Sequence, residues 1–233
     1  MFSQLYELSL ISTVFLLVVI GVCLLNLYFR FAHSQYGRQS DTSFLTAYLN
    51  DGARGEFDTG HLVERALPGA RLFFNAYLPL NDGYTELDVV AVHTSGCYVF
   101  ESKNYSGWIF GNSSDIKWTQ SLNRHTKCRF YNPIRQNSTH VKVLVTESGV
   151  EISKIIPVVV FSERCELKKL TLNLNDIVLK RSDLSRWLSN RSSLSILDDE
   201  EVSRLCKILE TSVGRSNEFK LLHANKVAEK NAH

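Results

Sequence analysis

The chain has no C-x-x-C pair and no even set of cysteines. Its five, Cys23, Cys97, Cys128, Cys165 and Cys206, are irregularly spaced, which argues against a disulfide framework or a zinc knuckle. They are expected to be reduced and mostly buried thiols. Internal repeats and low-complexity tracts are also missing, so repeat architectures are excluded. What remains, at 233 residues with 44% hydrophobic content, suits one globular domain with an appendage and a sizeable core. Two further absences are local. No Lys or Arg precedes the first apolar run, and no Asp or Glu occurs from Ile116 to Thr146. The net charge of +2 says nothing about partners; its distribution says more.

The apolar run is "LSLISTVFLLVVIGVCLLNLYF", Leu8 to Phe29, 22 residues without a charge. At about 1.5 Å per residue it is long enough to cross a hydrocarbon core of about 30 Å. A cleaved signal peptide would need a basic leader, a shorter run and an A-x-A-like site, none of which is present. A transmembrane helix over residues 8–29 is therefore expected. Glu7 is the charge before it, whereas Arg30 and Arg38 follow it, so the positive-inside rule places the rest of the chain in the cytoplasm, anchored in an inner or plasma membrane.

After a polar connector, residues 30–50, "GARGEFDTGHLVERAL" has apolar residues at helical spacing and stops at Pro68-Gly69. "RLFFNAYLPL" predicts a strand and "NDGY" a turn. Two more strands follow in "TELDVVAVHTSGCYVFESKN", Thr85 to Asn104, around a His93-Thr94-Ser95-Gly96 turn. Asn132 and Pro133 open a second helix as N-cap and first residue. "IIPVVVFS" predicts a strand buried on both faces, and "DDEEVSRLCKILETS" a late helix with acids at its start. The order is helix, three antiparallel strands, helix, strand, then peripheral elements in residues 166–233. That is an α/β sandwich with a mixed central sheet.

The strand pair places an acid in each apolar run. A turn centred on Thr94-Ser95 sets Asp88 opposite Glu101, where like charges destabilise a strand pair, so something positive should lie between them. Glu101 and Lys103, two apart, share a face. Two carboxylates beside a lysine can hold Mg²⁺ and put an ammonium where phosphate charge develops. E-x-K alone has no value as a signal, since Glu166/Lys168 and Glu218/Lys220 repeat it. An ordinary ion pair at a sheet end is the plain alternative, and the motif by itself leaves the two open.

Several pieces in order carry a resemblance: "GARGE" at Gly52 to Glu56, "ELDVV" at Glu86 to Val90, "VFESKNYSGWIFG" at Val99 to Gly111, Trp118 to Gln120, and "NPIRQ" at Asn132 to Gln136. Together they resemble the nuclease-related domain, NERD, of the PD-(D/E)XK nuclease superfamily, over about Asp51 to Leu144. The resemblance implies a restriction-endonuclease-like αβββαβ core within residues 51–165. It also implies Mg²⁺ or Mn²⁺ bound by Asp88 and Glu101 with support from Glu56, and a Lys103 that orients or activates water. Gln136 would contact the substrate backbone or steady the site. The proline of the superfamily's name is replaced by Leu87, as in the NERD form.

Independently of the resemblance, Lys117, Arg124, Lys127, Arg129, Arg135 and Lys142 fill the acid-free stretch, which suits a polyanion backbone. His140 shares a helix face with Gln136 and could reach a phosphate, although a surface or satisfied histidine accounts for it better. Gly52 and Gly55 fit close helix packing as well as a phosphate approach. Trp108 and Trp118 could stack on unpaired bases, but core positions explain them better. The expectation is a membrane-anchored, metal-dependent nuclease acting on nucleic acid, DNA rather than RNA. Two alternatives stand beside it: a non-catalytic binding module tethered to the membrane, and a protein whose basic stretch meets anionic lipid.

Overall fold

The computed structural model describes residues 2–40, 42–81 and 83–214. Helix α1, Phe2–Ala32, contains a 23-residue span, Leu10–Ala32, of mean hydropathy 2.7, and no residue of its most apolar window is buried inside the protein. It is the one helix among the described residues long and apolar enough to cross a membrane.

The stretch expected as a connector is folded into the domain. Ser34 and Ser43 cap two short helices, α2 (Gln35–Gln39) and α3 (Phe44–Leu49), each by accepting a backbone N–H. These helices deliver Tyr36 and Ala47, with Phe31 of α1, into a buried cluster. Tyr36 stands edge-on to Phe74 at 4.9 Å between ring centres. Phe31 meets Phe57 at 5.8 Å, so the end of α1 is seated on the domain.

Helix α4, Asp51–Ala66, starts at Asn50, whose side chain accepts the Ala53 N–H. Strands β1 (Arg71–Leu80), β2 (Gly83–His93) and β3 (Gly96–Lys103) then form an antiparallel meander. The β2–β3 register is the one the turn dictates, with His93 opposite Gly96 and Val89 opposite Phe100. Helix α5, Pro133–Ser148, has the expected Asn132 cap and closes on Gly149 in a left-handed conformation at φ 64°, as helix ends favour. It leads to β7, Ile155–Phe161, which lies parallel to β3. With β9, Val178–Lys180, the main sheet runs β1-β2-β3-β7-β9. It is mixed, and helices cover both faces: α4 and α6 (Arg181–Ser189) on one, α5 and α7 (Asp199–Gly214) on the other. Residues 166–214 are thus structural. Leu184 and Leu188 complete one core; Leu205, Cys206 and Leu209 complete the other.

A second sheet, β6-β5-β4-β8, stands outside the order of elements expected from the sequence. Strands β4 (Gly107–Asn112), β5 (Lys117–Ser121) and β6 (Lys127–Tyr131) lie between β3 and α5, and β8 (Cys165–Thr171) pairs with β4 in parallel. Trp118 stacks flat on Phe161, 6.2 Å apart and 5° from parallel, which fastens this sheet to the end of β7. All five cysteines are free, and Cys97, Cys165 and Cys206 are buried.

The main sheet has one irregularity. Leu72 and Phe74 of β1 face the α4 side, yet Ala76 and Leu78, two and four residues on, face the α5 side. On β2, Val89 and Ala91 face α4 while Leu87 faces α5. The alternation therefore breaks at Asn75 and at Asp88. Asn75 is left-handed, with φ 51°, a conformation that Asn tolerates better than most residues. The two polar residues occupy the gap where neither apolar cluster continues.

Candidate active site

Four elements converge on that gap. The break on β2 presents Asp88, whose Oδ2 accepts the Ser102 backbone N–H at 2.9 Å. Strand β3 contributes Glu101, 0% exposed, and Lys103, whose Nζ lies 2.6 Å from Glu101 Oε1. From α5, Gln136 Oε1 accepts from Lys103 Nζ at 3.2 Å. From α4 comes Glu56, whose Oε2 accepts from Tyr36 Oη at 3.3 Å and Asn75 Nδ2 at 3.1 Å. The same Asn75 amide donates to Glu86 Oε1 at 3.1 Å. Gly55 permits this approach of α4, because a Cβ there would stand 3.0 Å from Ser102 Oγ and 3.1 Å from Asn104 Cβ. Close packing thus accounts for Gly55.

The electrostatics follow from burial of like charges. Burial, then the nearby Asp88, push the Glu56 carboxyl up to about 7. Burial lifts Asp88 to about 6 against the pull of Lys103 and the Ser102 N–H. Glu101 goes furthest, to about 8, through burial and then Asp88, with Lys103 only partly offsetting them. Burial works against the charge on Lys103, but Glu101 and Asp88 outweigh it and hold its pKa above the ordinary lysine value. The ladder pairing of β2 and β3 ends at Val89 and Phe100, one residue short of Asp88 and Glu101; the positive charge beside these acids is Lys103, and it does not neutralise the set. Apart from that ion pair, neither Glu101 oxygen has a hydrogen-bond partner, a costly state for a buried carboxylate.

Among the described residues no three acid, histidine or cysteine side chains converge closely enough to enclose an ion. Mg²⁺ asks for less, since one or two carboxylates with water and phosphate oxygens suffice. Asp88 and Glu101, both raised by burial, with Glu101 Oε1 engaged only by Lys103 and Oε2 without a hydrogen-bond partner, fit that donor set. Glu56 belongs to the same electrostatic cluster.

The other residues singled out from the sequence separate into groups. Arg124, Lys127, Arg129 and Arg135 are all solvent-exposed, the first three on the β5–β6 hairpin and its loop and the last at the start of α5. His140 is not among them. It is 3% exposed, with Nδ1 3.5 Å from Glu101 Oε2, and burial followed by the charge of Lys103 lowers it to about 4. The helix face it shares with Gln136 turns inward, so His140 backs the carboxylate instead of meeting a phosphate. The Glu166/Lys168 pair lies exposed on β8; Glu218 and Lys220 lie outside the described residues. Sequence reasoning missed Tyr36, Asn75 and Glu86. An asparagine inside the otherwise apolar β1 was the available signal for Asn75.

Fold and site together define a mixed-sheet α/β domain with a carboxylate–lysine cluster at a break in the strand alternation. Residues 51–162, just under half of the chain, match the family described as the nuclease-related domain. An uncharacterized protein of Bacillus anthracis is 30% identical over 117 residues, 50% of this chain and 54% of that protein. The chain thus spans about half the length of that relative. No solved structure matches.

Proposed function

We propose that the chain is a membrane-anchored, metal-dependent nuclease that hydrolyses phosphodiester bonds, with DNA as its substrate. The observation that carries this reading is the cluster of Glu56, Asp88 and Glu101 beside Lys103, three acids all raised by burial, with Asp88 raising Glu56 and Glu101 further, at the end of a sheet. A structural ion pair needs one acid, not three. A divalent cation bound there would offset the repulsion and the charge that develops on phosphoryl oxygens. Asp88 and Glu101 would hold it, with Glu56 in support.

Lys103, held between Glu101 and Gln136, stays protonated near neutral pH because its pKa is raised. Its part is to orient water and stabilise negative charge at phosphorus, not to abstract a proton. Gln136 fixes the direction of that ammonium. Arg124, Lys127, Arg129 and Arg135 supply exposed positive charge for the polyanion.

The test is cleavage of labelled DNA and RNA by the full chain in detergent, with Mg²⁺ or Mn²⁺ against EDTA. Metal-dependent cleavage lost in Lys103→Ala is the expected result. Binding without cleavage in every metal would instead favour the tethered non-catalytic module.

A further inference from the structure

Trp118 is 1% exposed and forms part of the core, as expected of a strand tryptophan, but Trp108 is 46% exposed. It lies on β4, the strand that follows Lys103 after a short link. That link is fixed, because the Ser162 N–H donates to the Lys103 carbonyl at 3.0 Å and Ser162 Oγ donates to the Tyr105 carbonyl. Trp108 and Phe110 alternate with the buried Ile109, so they share the outward face of the second sheet. Across from them stand Ser121 and Thr119 of β5. These four residues, with Arg124 and Lys127, line an open cavity of about 470 Å³. Lys127 pairs with Ser121, in the cross-strand row that includes Trp108. Lys168 Nζ covers the Trp108 ring at 5.4 Å from its centre and is itself paired with Glu166. The cavity's own lining contains no acid.

We infer that this cavity is a stacking subsite for an unpaired nucleobase, with Trp108 as the platform and Arg124 and Lys127 engaging the flanking phosphates. The substrate it selects is nucleic acid with a single-stranded segment next to the bond addressed at Lys103. An aromatic ring beside two cations is the combination that binds single strands with little regard to sequence. A base paired inside a duplex cannot present its face to a tryptophan, so the subsite discriminates. The inference rests on the reading of the neighbouring acids as a nuclease site and deepens it.

Binding of a labelled oligothymidine and of a blunt hairpin duplex of equal charge to the full chain in detergent, in EDTA, tests it. Trp108→Ala should weaken oligothymidine about tenfold, the scale of one stacked base, and the duplex less than twofold. Trp108→Phe should restore most of the loss. Oligothymidine should also quench wild-type tryptophan fluorescence, and this quenching should be missing in Trp108→Phe, which gives a readout even if the alanine variant folds poorly. Equal losses on both ligands, or quenching unchanged in Trp108→Phe, would overturn the inference. So would protection of Trp108 by phosphatidylglycerol in mixed micelles but not by oligothymidine, which would assign the face to lipid. Because no cleavage is needed, binding through Trp108 in a chain that cuts nothing would sink the nuclease reading alone. Cleavage without single-strand preference would sink this inference alone.

Discussion

Asp88 separates the two readings of the acid cluster. If it helps hold a metal, the metal-free protein carries its repulsion with Glu56 and Glu101. Asp88→Asn keeps the shape and an oxygen for the Ser102 N–H, so the metal-free chain should melt at the same temperature or higher, with a stability gain of up to about 1 kcal/mol on the scale of cross-strand like charges. The Mg²⁺-dependent rise in melting temperature should disappear. A drop in metal-free melting temperature with the Mg²⁺ response intact would make Asp88 a scaffold partner of Lys103. A second expectation concerns pH. The folded values of Glu101, about 8, and Glu56, about 7, lie above those of an unfolded glutamate. Between pH 7 and 8 the folded state therefore holds more protons than the unfolded one, and metal-free stability should fall as pH rises, by on the order of 1 kcal/mol. Glu101→Gln should flatten that slope in a denaturant titration. Mg²⁺ affinity should rise over the same interval, since binding displaces protons. Asp88, Glu101 and Lys103 were legible in the sequence because a short turn fixes the register of the strands that carry them. Tyr36, Asn75 and Glu86 were not, because their meeting at Glu56 depends on how a helix and a short segment after α1 land on the sheet.

At the scale of elements, helix caps, strand runs and the β2–β3 register were local signals and were readable. The β4–β6 sheet was not. Its strands are short, and β6 alternates weakly because it is almost wholly exposed. The segment before α4 reads as a connector for a related reason: its polar residues outnumber its apolar ones, and only three-dimensional packing shows that Phe31, Tyr36 and Ala47 fill a core. A chain beginning at residue 51, the family boundary, would uncover Phe57 and Phe74. It should be less stable in urea than a chain beginning at residue 30, and should aggregate more readily. Tyr36→Ala in the full chain should cost about 3–5 kcal/mol, as large aromatic deletions in cores do. Tyr36→Phe should cost about 1 kcal/mol through loss of its hydrogen bond to Glu56.

For the whole molecule, the distribution of charge matters more than its total. Replacing Arg124, Lys127 and Arg129 together with Ala should reduce the slope of log affinity against log salt by up to about three contacts, each near 0.9 for duplex DNA. An unchanged slope would move the nucleic acid to another face. Orientation is checked by a reporter at the C-terminus: activity in the cytoplasm is expected, and activity only on the far side of the membrane would reverse the topology argued from Arg30 and Arg38. The seating of α1 on the domain has its own consequence. Phe31 packs on Phe57, Arg30 Nη2 donates to Asp58 at 3.1 Å, and Tyr48 Oη donates to the Leu27 carbonyl at 3.3 Å. A flexible leash lets its cargo sweep a volume whose radius grows with the square root of the leash length, but here there is no slack chain to sweep with. Mounted in a bilayer, the acids would ride at one fixed height and tilt above the lipid, so the anchor would act as a bracket that sets the angle from which a polymer strand can be threaded past Lys103.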